Sequence, residues 1–224
     1  MSDGLTPNQP VSRSIQVDRQ IPPCARQWGR IIDTSTLWPG DLVLVRSIKP
    51  DSVGKKIEHA HTNGGFAQRH AQWTHAAVYL GDGESICEST FKEKDFRWGV
   101  IMRSIHYYCN NETAIKVRRP KNMSMERRIG IALGAVNRLG DGYSFNEIFQ
   151  FWRAARSGRG FWQGNVRQKI GTRALVCSTL YQDAYNFSMK GDTVRMGSLC
   201  TPAHLSASDD FEEIDPEINW LGIE

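Results

Sequence analysis

Trp73-Thr74-His75-Ala76-Ala77-Val78-Tyr79-Leu80-Gly81-Asp82-Gly83, with Ser85-Ile86-Cys87-Glu88-Ser89 close behind it, is the stretch from which the architecture can be read. A run rich in aromatic and β-branched residues meets a Gly-Asp-Gly turn and then a second short apolar run, which predicts a β-hairpin. A two-residue period puts Trp73, His75, Ala77 and Tyr79 on one face and Thr74, Ala76, Val78 and Leu80 on the other. A histidine carried on a strand has a fixed direction, and the return strand brings Glu88 within reach of it.

Upstream, the Pro39-Gly40 turn introduces Asp41-Leu42-Val43-Leu44-Val45-Arg46, a short apolar run of the kind buried in sheets. Downstream, residues 98–105 and 113–117 are further strand candidates, and an antiparallel meander is predicted. Residues 49–72 are polar and rich in Gly and His, and read as loop with room for one short helix. After Pro120 the period becomes helical. Ser124 caps a helix in which Ile129, Leu133 and Val136 share a stripe with Ala132, and Gly140 ends it. A second helix over 144–156 would use Phe145, Ile148, Phe149 and Trp152 as core, broken by Ser157-Gly158-Arg159-Gly160. Residues 175–185 predict a last, buried helix through Leu180, Tyr181, Ala184 and Tyr185. Strands first and helices second is the order of an α+β fold.

The 224 residues suit a polar leader over 1–30 and one domain over 31–224. Hydrophobic residues at 40%, with seven Trp and nine Phe, supply a core and exclude wholesale disorder. No run approaches the ~18 apolar residues of a membrane-spanning helix, so no transmembrane segment is expected. The N-terminal residues lack the apolar core of a signal peptide, so the chain is expected to start in the cytoplasm. The net charge of +4 is unevenly spread: residues 114–176 hold thirteen Lys and Arg against three acids, while 205–224 hold seven acids and no base. This pattern reads as a solvated basic face partly neutralised by an acidic tail. Without a recognition helix or an aromatic-basic signature, no specific nucleic-acid partner is expected.

The five cysteines, Cys24, Cys87, Cys109, Cys177 and Cys200, form no CxxC pair, which argues against a zinc knuckle. Cys177 is the nucleophile candidate: it opens a predicted helix, where free N–H groups and the dipole favour a thiolate and can stabilise an oxyanion. His75 is the candidate proton acceptor, and Glu88 the group that fixes its tautomer. Each has a plainer alternative, since a strand histidine is more often core and a buried cysteine more often a small hydrophobe. His59-x-His61 with His70 offers a metal site, but the loop context and the absence of a carboxylate-rich or Cys-rich motif weigh against it. No metal or cofactor is expected. The remaining cysteines read as structural.

The order Pro39-Gly-Asp-Leu-Val43, Trp73 to Gly83, Ile86-Cys-Glu-Ser89, Gly99-Val100 and Val176-Cys-Ser-Thr-Leu180 resembles the circularly permuted branch of the NlpC-type, papain-like cysteine hydrolases. Cys200-Thr-Pro-Ala-His-Leu205 is similar to the small-Pro-Ala segment that follows the nucleophile helix in that branch, and histidine precedes cysteine as it requires. The resemblance spans roughly residues 38–214. It implies a papain-like α+β fold whose antiparallel sheet packs against the cysteine helix. It assigns Cys177 as nucleophile, His75 as general base and then acid, Glu88 as orienting group, and Asp41 to a structural turn. It implies a thiol amidase or endopeptidase acting on peptidoglycan stem peptides, with an acyl-lipid hydrolase or acyltransferase as the first alternative. A non-catalytic binding protein on the same scaffold is the second. A wall substrate and a cytoplasmic start together suggest an antibacterial effector, exported by a contact-dependent secretion system into a target periplasm and countered by an immunity protein. The leader and residues 153–173 have no counterpart in the family.

Overall fold

Six strands form one antiparallel sheet in a computed structural model that describes residues 32–90, 99–110, 112–143, 174–189 and 200–214. In chain order the elements are β1 (Leu42–Ser47), α1 (Ser52–Asn63), α2 (Gln68–Ala71), β2 (His75–Tyr79), β3 (Ser85–Thr90), β4 (Gly99–Ser104), β5 (Thr113–Pro120), α3 (Met125–Val136), β6 (Gly142–Tyr143), β7 (Ala174–Leu175), α4 (Cys177–Ser188), α5 (Pro202–Ala207) and β8 (Phe211–Ile214). Short 3-10 turns occupy Thr34–Thr36 and Ile105–Tyr108. The fold is α+β, as the order of elements predicts.

The strand order is β4-β3-β2-β1-β5-β8. Strands β1 to β4 do form a meander, but β5 leaves it and returns to the far side of β1, with Val117 opposite Val43. The expectation that most of this half is an antiparallel meander therefore holds for β1 to β4. The last strand, β8, lies in the acidic tail and pairs with the basic strand β5: Glu213 opposes Arg118 and bonds Lys116 at 2.7 Å. Solvation of the basic face fails for Arg118, Arg119 and Arg128, which are buried. Arg118 donates to the carbonyls of Leu205, Ser206, Ser208 and Phe211, and so pins the end of α5 to the sheet. Arg119 grips both oxygens of the buried Asp41 at 2.9 and 2.7 Å and stacks on Trp38. A guanidinium fork matched to a carboxylate is the arrangement that tolerates such burial.

Both faces of the sheet are covered. Leu42, Leu44, Ala76, Val78 and Cys87 pack against α3 and α4, while Val43, Val45, Ala77, Tyr79 and Ile86 pack with Ile32, Leu37, Ile105 and Cys109. Trp73 belongs with Ala76 and Val78 rather than with Ala77 and Tyr79. The alternation expected from Trp73 onward fails because the strand begins only at His75, so Trp73 stands outside it.

Residues 49–72 hold two helices rather than a loop. Asp51 caps α1 by accepting from Gly54 N at 2.8 Å, and the buried His61 donates through Nδ1 to Ala71 O at 2.9 Å, tying α1 to α2. Ser124 caps α3 as predicted, but the helix ends at Val136 rather than at Gly140, and of the expected stripe only Ala132 is buried. Ile129 and Leu133 are exposed, whereas Ile131, Ala132, Gly134 and Ala135 are buried. Size rather than hydrophobicity decides this: a Cβ at Gly134 would lie 3.0 Å from both Cα and O of Ala184, so the small residues mark the line where α4 comes closest. The predicted helix over 144–156, the leader and residues 153–173 lie outside the described residues. Among the described residues no helix is long and apolar enough to cross a membrane.

The buried His61 and the half-buried His204, between α1, α2 and α5, carry a testable consequence. Burial lowers the pKa of His61 to about 4, against a small opposing effect of its bond to Ala71; burial and then His61 lower that of His204 to about 3. The folded chain keeps both rings neutral where an unfolded chain protonates them. Their contribution is full above pH 6.5 and is lost as pH falls toward those values, by about 3 kcal/mol for His61 alone. The urea midpoint is expected to be clearly lower at about pH 4.5 than at about pH 7; equal midpoints would contradict this.

Candidate active site

His75 is the first residue of β2 and sits on the sheet face that carries Ala77 and Tyr79. Antiparallel pairing sets Ala77 opposite Glu88, which places Glu88 on that same face one pair further along. The diagonal contact closes: His75 Nε2 lies 2.7 Å from Glu88 Oε2. The Glu88 side chain is completely buried, while that of His75 is 21% exposed, so one edge of the imidazole is open to a reactant.

The cysteine arrives from the other side of the sheet. Helix α4 packs on the face opposite His75, but Cys177 is its first residue and lies at the end of the sheet where β2 begins. The two short strands β6 and β7 bring it there. Val100, at the start of β4, donates to Asp141 O and accepts from Gly140 N; β6 follows, and β7 runs parallel to it into Cys177. Gly99 makes this crossing feasible, since its φ is +130° and any Cβ would collide with the Asp141 carbonyl. The start of β4 is beside the end of β3, and the end of β3 is beside the start of β2, so the thiol reaches His75 around the sheet's end. Helix α4 is held against the sheet by Tyr181, whose hydroxyl donates to Gly40 O at 2.8 Å.

His75 hydrogen-bonds Glu88 at 2.7 Å, and Cys177 lies close enough to act on the charge of its ring. With Nε2 committed to Glu88, Nδ1 is the ring nitrogen left for the sulfur. Burial by itself pulls the imidazole pKa down, but Cys177 and Glu88 together overcome this and push it up to about 10. Burial likewise works to raise the Glu88 carboxyl, yet His75, Arg103 and the Tyr108 hydroxyl hold it below the ordinary range. The chemistry available is that of a charged imidazole between a carboxylate and a sulfur. Val176, the residue before α4, has no side-chain oxygen with which to cap the helix's first N–H groups.

No family model matches the chain, and no curated protein matches it.

The three residues singled out in the sequence, Cys177, His75 and Glu88, are brought together. The three histidines of the metal alternative are not. His59 bonds Asn63, His61 is turned to Ala71, and His70 bonds Ser206. Among the described residues no group of three His, Cys, Asp or Glu side chains is placed to hold a metal ion. Cys87, Cys109 and Cys200 are free, buried thiols; burial pushes Cys87 and Cys109 up to about 12 and Cys200 upward as well. Cys24 lies outside the described residues. Asp41 anchors the turn before β1, accepting from Trp38 N at 2.8 Å as well as from Arg119.

Two further residues of the site escape the sequence reading. Arg103 Nε lies 2.6 Å from Glu88 Oε1, and the Tyr108 hydroxyl donates to Glu88 Oε2 at 2.5 Å. Arg103 faces Glu88 because it pairs with Ile86, one alternation away on the same face; a lone cation in an apolar strand is the signal that could have found it. Nothing local distinguishes Tyr108 from Tyr107, whose ring instead stacks on the Arg103 guanidinium at 4.1 Å.

Proposed function

We propose that the protein is a cysteine amide hydrolase working through a thioester acyl-enzyme. The observation that supports it is His75 bonded to Glu88 and close enough to the first residue of α4, Cys177, for the sulfur to favour its charged form. In this reaction the Cys177 thiolate attacks the carbonyl carbon, and the N–H groups opening α4 receive the oxyanion. The C–N bond breaks as His75 gives its proton to the departing amine. His75 then takes a proton from water, which attacks the thioester, releases a carboxylic acid and returns the thiol. By resemblance to the permuted, papain-like NlpC-type hydrolases, the substrate is a peptidoglycan stem peptide. Action on a wall polymer fits an exported effector with an immunity protein in the producing cell.

One observation favours an acyl-lipid substrate as the second reading. Met125, Ile129 and Leu133 recur every four residues along α3 and are exposed, with Phe187 of α4 beside them, an apolar strip suited to a lipid surface. The test is mass spectrometry of sacculi and lipid extracts from bacteria expressing the chain with and without an added periplasmic signal, beside Cys177→Ala. New muropeptides are expected only with the unmodified, periplasm-directed chain. Released fatty acid instead would transfer the assignment to lipids, and no product from either would overturn the hydrolase.

A further inference from the structure

A general base that must also serve as an acid cannot hold its proton too firmly, since the proton taken from the thiol has to reach the leaving group. His75 is surrounded by groups that favour its charged form: Cys177 from α4 and Glu88 from β3. Glu88, however, is not at the sole disposal of His75. Its Oε1 is taken by Arg103 of β4 at 2.6 Å, and its Oε2 is shared between His75 Nε2 at 2.7 Å and the Tyr108 hydroxyl at 2.5 Å. The arrangement is fully sequestered, with the carboxylate at 0% exposure and Arg103 at 11%, so solvent does little to screen one donor from another. Tyr107 caps it by stacking on Arg103 and standing edge-on to Tyr108.

We propose that Arg103 and Tyr108 are positioning residues that share out the Glu88 carboxylate so that His75 releases its proton during turnover. Neither touches the reacting atoms; both act through Glu88. The physical basis is competition. One carboxylate charge faces two cations, the guanidinium and the imidazolium, so each weakens the other's claim on it, and the phenol draws further density from the very oxygen that His75 uses. With Tyr108 removed, Oε2 belongs to His75 alone. With Arg103 removed, the imidazolium becomes the only cation beside a buried carboxylate. Either change binds the proton on His75 more tightly. This rests on the Cys177–His75 reading above and deepens it.

The experiment follows alkylation of Cys177 in the full chain by iodoacetate across pH, read by peptide mass spectrometry. It needs no substrate, and the anionic reagent reacts faster while the imidazolium beside the thiolate is charged. The unmodified protein is expected to show a plateau bounded by an upper limb where His75 loses its proton. Tyr108→Phe is expected to move that limb upward by roughly half to one pH unit, as for loss of one hydrogen bond. Arg103→Gln should move it by more than about one unit, as for loss of a neighbouring like charge, and Arg103→Lys should restore most of the original position. A residue with only a structural role would lower the melting temperature and leave the limb where it was. An unmoved or downward-shifted limb in folded Tyr108→Phe would overturn the inference while leaving the Cys177–His75 pair standing. A single ordinary thiol curve in the unmodified protein would remove the pair itself, and the inference with it.

Discussion

His75→Ala is expected to lower hydrolysis by at least about 10³-fold with the fold intact, because the thiol loses its proton acceptor and the leaving amine its donor in one substitution. The loss should fall on kcat rather than on KM, since the ring's contacts on the protein side are to Glu88 and Cys177. Glu88→Gln is the graded companion. It keeps an oxygen in the place of Oε2 but removes the charge that sustains an imidazolium, and a loss of about 10²-fold is expected. The measurement is initial product release on whichever substrate the sacculus and lipid comparison identifies. Circular dichroism and urea unfolding establish that the variants are folded. A His75→Ala rate within tenfold of the unmodified protein would leave Cys177 without its assigned base and defeat the mechanism.

Asp41→Ala should be the most destabilising single change away from the site, by about 3–5 kcal/mol in urea unfolding. The Asp41 carboxylate is completely buried and accepts from the Trp38 backbone and from Nε and Nη2 of Arg119, with Arg128 Nη1 at 3.8 Å. Removing it strands two buried guanidinium groups around the Trp38 ring and frees a backbone N–H. The size of the effect comes from the charges left behind rather than from the strength of the pair. Arg119→Met in the Asp41→Leu background should therefore recover part of the loss. A penalty below about 1 kcal/mol for Asp41→Ala would mean that water reaches these groups after all.

The hairpin, the first strand, the capped start of α3 and the buried positions of α4 are legible in the residues, because each depends on a turn, a cap or a period within a few neighbours. The same local logic misleads where a neighbour distant in the chain decides. Ile129 and Leu133 look like the core face of α3, but α4 chooses the face on which Gly134 lets its backbone approach. Trp73 looks like a strand partner of His75, yet it precedes the ladder and turns toward the helices. Arg118, Arg119 and Arg128 look like surface charge until the carbonyls at the end of α5, the turn at Asp41 and the carbonyls of Pro120 and Met123 are folded around them. The chain from 49 to 72 looks like loop because its helices draw stability from tertiary contacts such as His61 to Ala71 more than from propensity.

By itself, then, the sequence determined which residues stand on strands and which on helices around the site: His75 and Glu88 on adjoining strands, and Cys177 at a helix start. Only the tertiary structure decided that Cys177 passes around the end of the sheet to meet a histidine on the opposite face, and that Tyr108 rather than Tyr107 turns in to share Glu88. Strand pairing and helix capping are short-range, written in period and turn chemistry. The meeting of α4 with β2 and the filling of the space around a buried carboxylate depend on sheet order and on close packing between segments far apart in the chain, which no local pattern encodes.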